Sequence, residues 1–428
     1  MNQRYKTKPL DCWGKAKEIR AAHYQDVWEA KEKGKLLVSG GESSFIALPA
    51  GLGEYEFLGG EPYGATVGNM PDLAVEYMGA AAAKGYPREM CSYCRAYLGS
   101  IFLNRSPFDG FIKPDFCFPW HCCDSHAKWF QVVSDYYDIP LFAIDFPLAP
   151  SEERFEFRKQ YLLSQFHDAI EWMEKITGRK YDDEKLIEAV RNDTKSTVLW
   201  ARICELTKAI PAPLDVKSMY SLYVIMALER HKKRAAEFYQ LLFDEVKDRV
   251  QKQIAAVSTE RCRMLHDSVP PWYFLSLFKY AQSYGVAFVM SPYVALGAFE
   301  RGEDGSWQAM KMPEEQGIEL KTRDDALTVL AEAYLKKPLF SSFFGGPRGE
   351  DLVRMVDQWR CQGVVLHFSR GCEGLSLGQA EAKLTLKDKG IPCVSYEGNN
   401  ADPREFDESR VLNNLESFFQ SIGLSQSA

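Results

Sequence analysis

The sequence predicts an α/β protein built as two Rossmann-like parallel-sheet lobes with a helical insert between them. Three observations carry that expectation. Short apolar runs alternate with helical stretches from about residue 36 to 116 and again beyond residue 285. The stretch from Asp183 to about Arg261 is rich in helix formers and has no glycine. A chain of 428 residues also exceeds what a single hydrophobic core ordinarily serves.

In the first lobe, KLLVSG (35–40) and GFIKPDF (110–116) read as buried strands. Between them Pro71 opens an alanine-rich segment closed by Gly85, which is the start and stop chemistry of a helix. A helix-like stretch from Asp124 leads into IPLFAIDFP (139–147), an apolar run ended by Asp145 and Pro147, as expected of a parallel strand delivering a loop. From 151 to 178, Phe155, Leu162, Phe166, Ile170 and Met173 fall at helical spacing between an N-cap Ser151 and a closing Gly178. In the second lobe a helix pattern gives way to the apolar run Val286 to Met290. QGVVLHFS (362–369) and GIPCVSYEG (390–398) follow, joined by a helix that starts near Cys372. That spacing is a βαβ unit with a right-handed crossover. The expected division is an N-terminal helical segment (1–34), a first α/β lobe (35–150), a helical insert (151–268) and a second α/β lobe (269–428).

Hydrophobic residues make up 46% and charged residues 26%, with a formal charge of -7 and no long run of Lys and Arg. This composition fits a soluble globular chain and gives no electrostatic footprint for nucleic acid or an anionic membrane. The N-terminus lacks the apolar core of a signal peptide, and Tyr220 to Leu228 is about half of the ~20 residues a membrane span needs. The expected location is therefore cytoplasmic. Eleven cysteines in that reducing compartment point to metal or redox chemistry more than to disulfides. Cys12, Cys204, Cys262 and Cys393, each isolated, read as small buried hydrophobes.

MCSYCRAYLGS and FPWHCCDSHAKWF place Cys91, Cys94, Cys122 and Cys123 within 33 positions. Such soft ligands suit zinc or an iron-sulfur cluster. A zinc ribbon would offer a second C-x2-C, whereas here the second group is an adjacent pair whose side chains diverge. Cys372, in RGCEG, lies between a strand and a helix, the same kind of position as the other two segments. Three thiolates can thus converge from three loop-to-helix junctions, where helix N-termini stabilise negative charge. Three ligands rather than four leave one iron open to substrate.

The order of these segments resembles the iron-sulfur catalytic subunits of the benzoyl-CoA reductase and 2-hydroxyacyl-CoA dehydratase family. Cys91 is followed by Arg95 and Gly99, Cys123 by Lys128-Trp129, and Gly371-Cys372-Glu373 by a helix, Gly390-Ile391-Pro392 and an acidic turn from Glu397 to Asp402. The similarity runs from about Lys35 to Phe419. It implies a 4Fe-4S cluster on Cys91, Cys123 and Cys372, an acyl-CoA substrate, a homologous second catalytic subunit and a separate ATP-hydrolysing iron-sulfur activator. In keeping with a separate activator, the sequence has no G-x-x-x-x-G-K-[ST] loop, and Gly51-Leu-Gly53 lacks the third glycine of a dinucleotide fingerprint. Cys94 and Cys122 depart from the family pattern and leave open a set shifted to Cys122. No cysteine lies between Cys262 and Cys361, where double-cubane relatives have one, so one simple cluster is expected.

A reaction of this kind needs an acid, for which His121 is the first candidate, His367 the second and His126 a third, each against a purely structural role. Arg95 is read either as a hydrogen-bond donor to a cluster sulfur or as a helix-surface charge. Tyr93, Tyr97, Trp120, Trp129 and Phe130 flank the cysteine segments and predict a water-poor pocket. The preferred expectation is ATP-dependent reduction of benzoyl-CoA or a close analogue to a cyclic diene. Radical dehydration of a 2-hydroxyacyl-CoA is the alternative. A non-catalytic electron-transfer subunit, with Cys94 or Cys122 as fourth ligand, is a further one.

Overall fold

The computed structural model describes residues 4–42, 44–147, 154–295, 298–337 and 348–426. Leu36–Gly40 (β1) is the middle strand of a parallel sheet, flanked by Tyr55–Gly59 (β2) and Phe116–Cys117 (β3). Val38 is in register with Phe57 on one side and Phe116 on the other, and all three side chains are buried. Covered on both faces, β1 has the continuous apolar sequence of a parallel strand. Beyond β3, Trp120–His121 (β4) pairs in parallel with Ile144–Asp145 (β5), at the end of the apolar run expected to deliver a loop.

The sequence pattern did not reveal β2, because Glu56 interrupts its apolar run. That carboxylate is buried and paired with Lys35 at 2.8 Å and with Lys232.

Trp13–Trp28 (α1) precedes this sheet, and Gly60–Gly68 (α2), Pro71–Ala83 (α3), Ser92–Leu103 (α4) and Asp124–Tyr137 (α5) accompany it. Pro71 occupies the first turn of α3, and Gly85 follows its end with φ +91°, as its start and stop residues predict. Phe155–Thr177 (α6), Asp183–Leu206 (α7), Val216–Glu229 (α8) and Lys233–Gln251 (α9) form the helical run. Leu162, Phe166, Ile170 and Met173 are the buried stripe of α6, and Gly178 closes it in the left-handed conformation. Ser151, the expected N-cap, lies outside the described residues.

Helix stops at Gln251, ten residues before the sequence suggested. Cys262–Asp267 is instead a strand (β6) inside the second sheet. Its sequence, CRMLHD, hides that role because three of its six buried residues are polar. Each has a partner inside. Arg263 donates to the carbonyls of Trp359, Thr207 and Ala209. The ring nitrogens of His266 meet the hydroxyls of Tyr220 and Tyr396, and Asp267 pairs with Arg348 at 2.7 Å.

The second sheet is wholly parallel, with Gly363–Ser369 (β8) between β6 and Cys393–Gly398 (β9), and Val286–Met290 (β7) beside β6. Arg348–Gln358 (α10), Glu373–Ser376 (α11), Gln379–Asp388 (α12) and Glu408–Ser421 (α13) belong to this lobe. Apolar residues from both sheets share one continuous core, and a second core lies among β1–β3, α6 and α7. No helix among the described residues is long and apolar enough to cross a membrane.

The packing of α3 on α4 depends on Gly99. A Cβ there would lie 1.8 Å from the Tyr77 carbonyl oxygen, a backbone atom that moves only if the helices part. Gly99→Ala is expected to cost about 2 kcal/mol or more. An unchanged urea midpoint would show that the two helices have room to spare.

Candidate functional site

Cys91, Cys123 and Cys372 occupy the same local position: each is the N-cap residue of a helix, α4, α5 and α11 respectively. All three are partly exposed, whereas Cys94, one turn into α4, is fully buried and faces the core.

The two lobes meet at these junctions. A Cβ on Gly371 would lie 2.8 Å from the Met90 carbonyl oxygen, and Gly371 has φ +72°, so glycine is required both for space and for conformation. The Ala401 amide donates to Ser92 Oγ at 3.1 Å, and Trp272 donates to the Tyr93 hydroxyl. Arg95 completes the clamp: Nε donates to the Met90 carbonyl and Nη2 to Asp402, both at 3.2 Å. It is 1% exposed, which corrects the helix-surface reading of this residue. Against burial, Arg404 and Arg95 hold the Asp402 carboxyl below its usual range.

Electrostatics links the three thiols. Burial pushes Cys91 up, and negative charge on Cys372 or Cys123 pushes it further. Burial raises Cys372 to about 11, again with a contribution from Cys123. Opposing these are the first-turn amides of α4 and α11, the Asn400 side chain and the Arg348 charge. Cys123 differs, being lowered to about 7, chiefly because the Cys122 thiol donates to it, with help from His126. Cys122 is raised well above its ordinary value by the same hydrogen bond. Of the adjacent pair, Cys123 is therefore the more acidic and Cys122 the less.

Among the described residues, no three His, Cys, Asp or Glu side chains are grouped to hold one metal ion. A mononuclear zinc site gathers its sulfurs around a single centre at about 2.3 Å each. A cubane instead binds each thiolate to a different iron, so its ligands stand further apart. Cys91, Cys123 and Cys372 are partly exposed soft donors at one lobe junction, a donor set whose chemistry fits a cluster.

The candidate acids separate clearly. His121 is at the rim, its side chain 45% exposed, with Nδ1 3.2 Å from Asp145 and Nε2 3.9 Å from Asp124. His367 is sealed inside β8, bonded to the Val269 carbonyl and stacked on Tyr396 at 4.8 Å; burial lowers it to about 4, so it is neutral. His126 is buried, with Nδ1 donating to the Trp120 carbonyl at 2.8 Å and Nε2 2.7 Å from Glu61. Burial disfavours its charge, but Glu61 prevails and raises it to about 9.

Two further residues escaped the sequence reading. Glu42 follows Gly40-Gly41 at the end of β1, and Glu61 follows Gly59-Gly60 at the end of β2. This repeated Gly-Gly-Glu, at the carboxyl edge where α/β sheets receive ligands, was the available signal. The Glu42 amide donates to Glu61 at 2.8 Å. Gly41 must be glycine, since a Cβ would fall 1.9 Å from the His126 ring.

Two parallel-sheet lobes that each present cysteine at a helix N-terminus, beside buried carboxylates, define an α/β thiolate site shared across a lobe junction. The chain belongs to the family described as 2-hydroxyglutaryl-CoA dehydratase, D-component, which it matches over residues 59–422. It is 28% identical over 339 residues to the (R)-phenyllactyl-CoA dehydratase alpha subunit of Clostridium sporogenes, covering 77% of this chain and 76% of that one. It is 25% identical over 394 residues to the (R)-2-hydroxyisocaproyl-CoA dehydratase alpha subunit of Clostridioides difficile (91% and 90%). It is 23% identical over 430 residues to a benzoyl-CoA reductase subunit of Thauera aromatica (95% and 94%).

The His126–Glu61 pair gives stability a pH dependence. The unfolded histidine titrates near 6.5 and the folded one near 9, so the folded chain binds more protons between these values. Stability from the pair is full below about pH 6.5 and is lost as pH rises through 9, by on the order of 3 kcal/mol. Chemical denaturation across that range should show a steeper fall for the parent than for Glu61→Gln; parallel curves would contradict the pairing.

Proposed function

We propose that this chain is a catalytic subunit of an enzyme that dehydrates a 2-hydroxyacyl-CoA, with a 4Fe-4S cluster held by Cys91, Cys123 and Cys372. The observation that carries this reading is the placement of three partly exposed, mutually coupled thiols at three helix N-termini drawn from both lobes. When bound on three protein thiolates, such a cluster supplies one low-potential electron and an open iron for a substrate oxygen.

The chain's own residues have separate tasks. The starts of α4, α5 and α11, with Arg348 and His126, favour the ionised thiols. Trp129, Phe130, Tyr93 and Tyr97, all buried, exclude water beside them. Cys94 is buried in the core, apart from the partly exposed Cys91, Cys123 and Cys372, which favours three ligands and a substrate-binding subunit over an electron-transfer subunit.

Dehydration is preferred because the family description and the two dehydratase relatives name that reaction. Reduction of benzoyl-CoA to a cyclic diene is the second reading, favoured by a reductase subunit that aligns with 95% of this chain. Those relatives are each named as a subunit, which supports a homologous second subunit here. The missing phosphate-binding loop supports a separate ATP-hydrolysing activator, and a cytoplasmic location goes with that assembly.

With partner subunit, activator, ATP and a strong reductant, a 2-hydroxyacyl-CoA should be converted to the enoyl-CoA while benzoyl-CoA is untouched; the reverse would assign the reductase reaction. In anaerobic preparations Cys123→Ser should lose its bound iron and Cys122→Ser should keep most of it. The opposite pattern would shift the second ligand to Cys122.

A further inference from the structure

Glu42 is a buried carboxyl with an unused oxygen. It is 7% exposed, and its Oε1 has no hydrogen-bond partner among the described residues. Oε2 accepts from the Tyr293 hydroxyl at 3.3 Å. The backbone on either side is fixed: its amide donates to Glu61, and its carbonyl accepts from Arg230 at 3.0 Å. Tyr223 also lies within reach of this carboxyl, but no cation bonds its side chain and Oε1 has no well-aligned donor, which is unusual for a structural carboxylate so deeply buried and points to another role.

Its surroundings decide where the proton sits. Glu61, from the start of α2, faces it and is already committed to the imidazolium of His126. Burial first, and the Glu61 charge after it, push the Glu42 carboxyl up, while Glu61 with its cation is lowered, so of the two Glu42 holds its proton more tightly. Tyr223 from α8, Tyr293, and Arg230 after α8 complete the shell. Through Glu61, Glu42 is linked to the thiol junction, because the Glu61 partner His126 stands in the first turn of α5, whose N-cap residue is Cys123.

We propose that Glu42, rather than a histidine, is the acid that gives a proton to the substrate at this site. The inference rests on the proposed dehydration. The Glu42 O–H bond breaks as the substrate C–O bond breaks; that bond's electron pair leaves with oxygen, and the proton turns the departing hydroxide into water. The single electron the reaction requires comes from the activator and is returned at the end of the cycle. Glu42 is left as a carboxylate that Tyr223, Tyr293 and the Arg230 charge accommodate; the proton that must leave the β-carbon for the C=C bond to form is then taken up by this carboxylate, which restores the acid. Burial and Glu61 push this carboxyl up to about 7, so it holds a transferable proton at neutral pH.

The test uses the complete complex with Glu42→Gln, which keeps the shape and removes the proton. Turnover should fall by about 100-fold or more, with bound iron per chain unchanged, and Glu42→Asp should recover part of the rate. An infrared titration of the parent should show a protonated carboxyl band that disappears between about pH 6 and 8 and is absent from Glu42→Gln. An active parent whose Gln variant turns over within about threefold of it, or a parent lacking that band, would overturn the role of Glu42 alone. A parent inert toward both thioesters would overturn the proposed reaction and this role with it.

Discussion

The buried ion pair between Arg95 and Asp402 sits where the two lobes meet, and the geometry of the thiol site depends on it. Arg95 belongs to the first turn of α4, directly behind Cys91, and Asp402 belongs to the turn after β9. The same guanidinium holds the Met90 carbonyl, whose oxygen also limits how closely Gly371 can pack. Cys91 and Cys372 are thus positioned by one charged contact and one glycine approach. A buried pair of this kind adds little net stability, but loss of Asp402 would leave the Arg95 charge buried and unpaired, at a cost of about 3–5 kcal/mol, whereas Asp402 without Arg95 would still have Arg404. Its value lies in fixing one arrangement of the two lobes.

Around that clamp, the protein gathers groups that burial alone would neutralise. Desolvation raises the Cys91 and Cys372 thiols, while helix amides, Arg348 and His126 work in the opposite direction. The balance leaves Cys123 as the most acidic of the thiols at the junction, because the Cys122 thiol and His126 favour its ionised form. Glu61 and His126 settle into a charged pair, and burial, reinforced by the Glu61 charge, raises the Glu42 carboxyl. Thiols and carboxyls are therefore tuned by one connected set of contacts at the carboxyl edge of the first sheet.

Much of this was legible in the sequence. Cys91 and Cys372 announced themselves by lying at strand-to-helix junctions, and α3, α6, β1, β7, β8 and β9 follow apolar periodicity and helix-stop glycines. What escaped notice shares one physical cause: polar side chains satisfied inside the protein. Glu56 in β2 and Arg263, His266 and Asp267 in β6 break the apolar pattern, yet each is paired by residues distant in the chain. Local patterning cannot foresee such partners. The same is true of His367, whose burial within the sheet is set by β6 and β9, and of Cys122 and Cys123, of which only Cys123 stands at the start of α5 beside His126.

The central claim is that three thiolates, and no fourth, hold a cluster at the lobe junction. Mössbauer spectroscopy of the chain loaded anaerobically with enriched iron tests it most directly. One iron distinguishable from three thiolate-bound irons, and perturbed on its own by an acyl-CoA, is the predicted result. Four equivalent irons that ignore the thioester, or a chain that takes up zinc and no iron, would contradict the account.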